Sequence, residues 1–307
     1  MKELWTEKYR PSDVEGYVFT DVSTKEQVEE WIKEGACPHL LLHGPAGTGK
    51  TTLAKLLIKQ MGIDGYDILQ VNASRDNGVD FLKTKIENFV STMPFGHMKI
   101  VLMDEADYLS PNAQGLMRGL METYQAQARF ILTCNLVHKI ITPLKSRCHE
   151  IHINKTDVVE FTARAATVLV SEGIDFDLDT LDSYVKATYP DLRKCLNLLQ
   201  PNSNTGRLVN PKEADSGTAD YRLAVVELFK SKRYKEARKL MASQARPEEM
   251  EEIFRWMYDN LDLFSSTDEG QDEAIVIIRR GAANHSMVAD YEINLSATLV
   301  ELSQIES

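Results

Sequence analysis

Gly44, Pro45, Ala46, Gly47, Thr48, Gly49, Lys50 and Thr51 stand in the order and spacing of a phosphate-binding loop. Glycines let backbone N–H groups wrap phosphate oxygens, and a helix starting at the lysine adds the positive end of its dipole. At this spacing Lys50 reaches the β and γ phosphates of ATP, Thr51 offers a hydroxyl to Mg²⁺, and Thr52 continues the nucleotide-facing turn. A second cluster, Asp104-Glu105-Ala106-Asp107, ends the apolar run 100–103. That puts carboxylates at the carboxyl end of a buried strand, where open α/β sheets collect their ligands. Asp104 is expected to hold the Mg²⁺ shell, Glu105 to orient and polarise an attacking water, and Asp107 to brace the following loop. Asn135, just past the run 130–133, can bond the γ phosphate or the lytic water. Asn72, just past 68–71, can pair with Glu105 and hold it off that water.

These groups need a scaffold. From residue 38 to about 153, short apolar runs (39–43, 68–71, 100–103, 130–133, 149–153) alternate with amphipathic stretches (50–61, 80–92, 112–124). That rhythm predicts a parallel sheet with crossover helices, a three-layer α/β domain. Beyond residue 155 the strand signals fade. Stretches 157–171, 179–187 and 191–199 predict three helices, the first two opened by Asp157 and Asp179 as N-caps. Residues 201–217, rich in Pro, Asn, Ser, Thr and Gly, predict an exposed connection with little structure. The rest is helical in spacing, with Val288, Tyr291, Leu295, Leu299 and Leu302 down one face, as a core helix or an oligomerisation bundle requires. The expected domains are 1–154, 155–216 and 217–307.

The chain has 307 residues and 43% hydrophobic content, enough for more than one core. Met1 to Pro11 is charged and does not read as a secretory signal, and no apolar run approaches a membrane span. A cytoplasmic location is expected. The four cysteines are dispersed and form no C-x-x-C pair, which excludes a zinc ribbon and a disulfide framework as expectations; the seven histidines are equally scattered. With a formal net charge of −11, long-range attraction to nucleic acid is absent, so any DNA contact needs a local basic surface.

Taken in order, the motifs resemble the AAA+ clamp-loader ATPases: the small subunits of replication factor C and, most of all, the large subunit of the T-even phage loader. Trp5-Thr-Glu-Lys-Tyr9-Arg10-Pro11 is similar to that family's adenine-pocket segment, Val71-Asn-Ala-Ser74 to its second strand end, Asp104 to Asp107 to its D-E-A-D form, Ser146-Arg147-Cys148 to its S-R-C box, and Pro190-Asp-Leu-Arg193 to its second sensor. The likeness spans about residues 3 to 200. It implies an AAA+ domain, a helical lid and a helical collar, with Tyr9, Arg10 and Pro11 beside the adenine. It also implies that Arg147 reaches the ATP of an adjacent subunit, an arrangement worth roughly 10³ to 10⁵ in rate. Arg193 would sense the γ phosphate in cis. Primer-template DNA would lie inside a spiral of subunits and touch Lys83, Ser110 and Asn112, while Gln114 and Arg118 would carry the signal of its arrival to the subunit boundary. Val90 to Phe95 falls where the resembling proteins touch a sliding clamp. The phage likeness implies four copies beside one different subunit, in the cytoplasm of a bacterial host. Departures are Gly78-Val79 for the commoner Gly-Ile, Asn77 for a frequent Arg, and a last ninety residues that are only generically helical.

The expected job is therefore an ATPase subunit of a sliding-clamp loader. Two rivals stand beside it: an AAA+ motor that remodels DNA or protein, disfavoured by the S-R-C box and by the lack of a pore-loop aromatic insertion, and an ATP-binding scaffold, disfavoured by the intact Glu105.

Overall fold

The structure is a computed structural model and describes residues 3–76, 78–211, 221–285 and 287–305. Asn77 and the 216/217 domain boundary lie outside the described residues. Contacts divide the chain into two units, Glu7–Asp157 and the remainder.

The first unit is the expected α/β domain. Five parallel strands, β1 (Leu40–His43), β2 (Ile68–Asn72), β3 (Lys99–Asp104), β4 (Ala128–Cys134) and β5 (His149–His152), lie in the order β2-β3-β4-β1-β5. The register pairs Leu42 with Thr133, Met103 with Leu132, Asn72 with Asp104 and His43 with His152. Helices cover both faces, so the central strands are apolar throughout and their alternate residues serve opposite cores. Leu41, Val101, Met103, Phe130 and Leu132 pack with Leu82 and Ile86 of α3 (Val79–Val90) and Met117 and Leu120 of α4 (Pro111–Thr123). Leu40, Leu42, Ile100, Leu102 and Ile131 pack with Val28 of α1 (Val22–Glu34) and with Leu53 and Leu57 of α2 (Lys50–Gln60). No element was expected at α1, because Val28 is its sole buried residue. Its start is set by Asp21, whose carboxylate accepts the Ser23 and Thr24 N–H groups. A short helix, α5 (Thr142–Lys145), leads into β5.

The second unit is helical: α6 (Val158–Ser171), α7 (Leu178–Thr188), α8 (Leu192–Leu199), α9 (Tyr221–Lys230), α10 (Tyr234–Gln244), α11 (Met250–Asp259), α12 (Asp268–His285) and α13 (Tyr291–Leu302). Residues 3–6 belong to it. The Trp5 N–H donates to Gln200 Oε1 at 3.1 Å, and Gln200 Nε2 donates to the Glu3 carbonyl at 2.8 Å.

Three expectations here are corrected. The cap of α7 is Asp177, accepting the Thr180 N–H, and Asp179 falls in its first turn, where its charge still suits the helix dipole; Asp191 caps α8 by accepting the Lys194 N–H, and Asp157 stands directly before α6. The described part of the 201–217 connection is exposed at Pro201 and residues 204–207, as expected, but not at Asn202 and Ser203, which are buried and spend their side chains on the Leu198 and Leu199 carbonyls at the end of α8. Leu208 is buried beside it, and Val209 N–H donates to the Asn202 carbonyl. Finally, α13 starts at Tyr291 behind the N-cap Asp290, so Val288 stands outside the face formed by the buried Leu295, Leu299 and Leu302.

Candidate nucleotide site

The sheet order explains how distant motifs meet. The phosphate-binding loop follows β1 and the acidic cluster follows β3, and β4 lies between them. Thr51, in the first turn of α2, donates its hydroxyl to Asp104 Oδ1 at 2.7 Å. Thr133, next to the end of β4, donates to the same oxygen and accepts the Glu105 N–H at 3.1 Å. Two hydroxyls and a carboxylate are hard oxygen donors, and that set suits Mg²⁺.

The loop itself is built for close approach. A Cβ on Gly44 (φ 146°) would sit 2.1 Å from the Ile153 carbonyl oxygen, and one on Gly49 (φ 92°) would press on the Tyr17 ring at 3.0 Å. The backbone N–H groups of Gly47 and Gly49 form no hydrogen bond among the described residues. Unpaired N–H donors at a helix start form an anion cradle. Lys50 is 7% exposed, and its ammonium donates to the Gly44 and Pro45 carbonyls at 2.9 and 2.6 Å. The Thr48 hydroxyl also donates to Pro45. These neutral acceptors are the ones a phosphate would compete with. Arg10 ties the preceding segment to the site by donating to Thr52 Oγ1 at 3.3 Å, while Lys8 lies over the Tyr9 ring and Pro11 is half-buried.

Glu105 occupies the left-handed region (φ 59°, ψ 43°). Held by Thr133 at its own N–H and followed by a helical turn, it is set by its backbone conformation, and its side chain forms no hydrogen bond among the described residues. Asn72 does not meet it among the described residues, contrary to the expected pairing. Its Oδ1 accepts the Ser74 N–H and hydroxyl at 2.9 and 2.6 Å, a local turn that satisfies the amide oxygen more cheaply than a reach across strands. Asp107 braces the loop, accepting the Asn135 and Leu136 N–H groups at 3.3 and 3.1 Å. That leaves Asn135 exposed at the end of β4.

Around the site, Ser110 caps α4 by accepting the Ala113 N–H, with Asn112 exposed beside it; Lys83 is exposed on α3. Gln114 is buried and fully used: Nε2 donates to the Leu109 and Lys139 carbonyls, both at 3.0 Å, and Oε1 accepts the Ile141 N–H at 2.8 Å. Arg118, on the same helix, is exposed and forms no hydrogen bond or ion pair among the described residues. Arg147 is paired within its own chain. Nε donates to Glu122 Oε1 at 2.5 Å, Nη2 meets the same oxygen, and Nη1 donates to the Pro143 carbonyl at 2.7 Å and to Ser146 Oγ. Arg193 lies exposed on α8 in the second unit.

Burial pushes the thiols of Cys37, Cys134, Cys148 and Cys195 up to about 12, which disfavours the thiolate that metal binding or nucleophilic attack would need. No helix of the described residues is long and apolar enough to cross a membrane. Sequence reasoning missed Tyr17, Thr133 and Glu122. Thr133 alone left a signal, as the polar end of an apolar strand.

The model of the ATPase family associated with various cellular activities (AAA) matches residues 40–157. Replication factor C small subunit 1 of Pyrobaculum islandicum is 32% identical over 316 residues, covering 99% of this chain and 96% of that protein. Replication factor C small subunit 1 of Pyrobaculum arsenaticum is 36% identical, covering 75% and 71%. Replication factor C subunit 4 of Encephalitozoon cuniculi is 33% identical, covering 86% and 84%. In fold alone, the chain is similar to the RuvB Holliday junction branch migration motor of Thermotoga maritima, with a TM-score of 0.55 at 15% identity over 73% of this chain and 78% of that one. The match to a small subunit along 99% of this chain, on top of a cradle, a hydroxyl–carboxylate pair and a strained glutamate, makes this chain an ATP-hydrolysing AAA ATPase that belongs to the replication factor C small-subunit family.

Proposed function

We propose that the chain is the ATPase subunit of a sliding-clamp loader, in which ATP closes several copies into a spiral that opens the clamp and primer-template DNA triggers hydrolysis and release. The observation that carries this is the convergence of Thr51, Asp104, Glu105 and Thr133 beside the Gly44–Thr51 cradle, in a chain of the replication factor C small-subunit family. Lys50 and the loop N–H groups bind the phosphates, Thr51 and Asp104 hold Mg²⁺, and Glu105 polarises the water. Tyr9, Arg10 and Pro11 flank the base. When bound, Mg²⁺ supplies charge neutralisation at the β and γ oxygens. Asn135 and Arg193 report on the γ phosphate, and Arg147 serves the neighbouring subunit's ATP. Residues 155–216 and 217–307 act as lid and collar, and four copies assemble with one different subunit in the cytoplasm.

DNA runs past the starts of α3 and α4. Both helices begin at the carboxyl edge of the sheet and carry Lys83, Ser110 and Asn112 there, a backbone-reading arrangement that needs no net positive charge. Gln114 and Arg118 couple that edge to the subunit boundary. At the other edge, Met93 and Phe95 are 81% and 79% exposed, and Tyr66, which rests against Phe95, is 79% exposed. The buried Asp67 carboxylate holds this loop by accepting the Phe95 and Gly96 N–H groups. Exposed apolar groups on a fixed loop suit a protein partner, here the clamp.

The test is steady-state ATP hydrolysis by the chain assembled with its companion subunit, with and without primer-template DNA and a clamp. Stimulation that requires both is expected. Indifference to both would return the chain to AAA ATPases of another task.

A further inference from the structure

Every nitrogen of the Arg147 guanidinium is engaged inside its own chain, and Glu122 takes two of the three. Glu122 lies in the last turn of α4, where the helix dipole disfavours a carboxylate and a nearby cation offsets that. Residues 139–147 are thus fastened to α4 at two points, by Gln114 through the Lys139 carbonyl and Ile141 N–H, and by Glu122 through Arg147. The same helix starts at Ser110, on the edge proposed to face DNA.

A carboxylate and a phosphate compete for one guanidinium fork, since both offer it anionic oxygens. While Nε and Nη2 face Glu122, that fork is unavailable to another subunit's nucleotide. We infer that Glu122 is a positioning residue that keeps Arg147 withdrawn in the single chain, and that the γ phosphate of a neighbour's ATP must displace it. This rests on the trans role proposed for Arg147. The pair is half-exposed, and ion pairs in such settings are weak, so a phosphate can displace the carboxylate. Arg118, four residues earlier on the same face of α4, is without a hydrogen bond or ion pair among the described residues and is placed to receive the released carboxylate. Glu122 therefore sets how readily the finger is drawn across, and leaves the chemistry of the engaged finger alone.

The experiment titrates primer-template DNA into the assembled complex and measures turnover for the wild type, Glu122→Gln, Arg147→Ala and the double variant. Glu122→Gln keeps the side chain's length at an exposed position, and a thermal melt checks that it folds. The expected result is a roughly two- to fivefold lower half-maximal DNA concentration, the factor that an ion pair of this kind sets, with turnover raised without DNA and an unchanged plateau. Arg147→Ala should lower the plateau in both backgrounds. An unmoved midpoint would show an inert surface pair, and a Glu122→Gln plateau fallen to the Arg147→Ala level would show that Glu122 holds the engaged finger; either overturns the inference while the trans role stands. Full turnover in Arg147→Ala defeats the trans role itself, and the inference with it.

Discussion

Thr51 and Asp104, 53 residues apart in sequence, are joined by a 2.7 Å hydrogen bond across the top of β4. The bond fixes the rotamer of Thr51 toward the acidic strand end and leaves its oxygen lone pairs for a cation. Thr51→Val keeps the shape and removes the hydroxyl. We expect turnover to fall by about a hundredfold, near 3 kcal/mol of barrier, at saturating Mg²⁺. ATP binding measured in EDTA should hardly change, and an equal loss with and without Mg²⁺ would count against a metal role.

Glu105 separates stability from function. A non-glycine residue in the left-handed region carries about 1–2 kcal/mol of backbone strain, which glycine does not. Glu105→Gln should retain nucleotide binding and lose at least about a hundredfold in turnover. Glu105→Gly should lose the same turnover yet gain about 0.5–1 kcal/mol in urea unfolding, the net of relieved strain and glycine's greater unfolded-state entropy. A destabilised glycine variant would mean that the Glu105 side chain, not its backbone, holds the turn.

Much of this site was legible because its chemistry depends on residue type at fixed spacing: glycines at 44, 47 and 49, the lysine and threonines after them, and acids after an apolar strand. The sheet was legible because both faces are covered, which makes each strand a continuous apolar run. What escaped depends on three-dimensional neighbours. Tyr17 reaches Gly49 and the Thr48 carbonyl from a polar N-terminal stretch without periodicity, and Glu122 finds Arg147 from 25 residues away. Asn72 misled for the opposite reason. Its amide has a local solution two residues on, invisible when only strand ends are counted. Asp179 was taken as a cap because it opens an apolar stretch, but Asp177 reaches the N–H of Thr180 first.

Gln114 predicts a stability effect with a defined cause. Its amide makes three hydrogen bonds in a buried setting, so Gln114→Ala removes all three and leaves the Lys139 carbonyl and Ile141 N–H without partners. A loss of about 2–3 kcal/mol is expected in urea unfolding. Because these bonds fasten the segment that carries Arg147, hydrogen exchange over residues 139–147 should accelerate in the folded variant, whereas exchange in β2 should not.

His39 makes the fold sensitive to acid. Its ring takes the Phe130 N–H on Nδ1 at 3.1 Å, which requires the neutral form there, and burial, with Arg129 nearby, lowers its pKa from 6.5 to about 4. Between these values the unfolded chain binds a proton that the folded chain refuses, so the contribution of His39 to stability is complete above pH 6.5 and is lost as pH falls toward 4. After allowance for the partial exposure of the ring, the loss is about 1–2 kcal/mol. His39→Asn keeps an acceptor for the Phe130 N–H and cannot titrate. Urea unfolding of both proteins across this range should give curves that converge toward pH 4, because carboxylate titration is common to both and cancels in the difference. Parallel curves would mean that His39 takes up its proton alike in the folded and the unfolded chain, and would remove its part in the acid sensitivity.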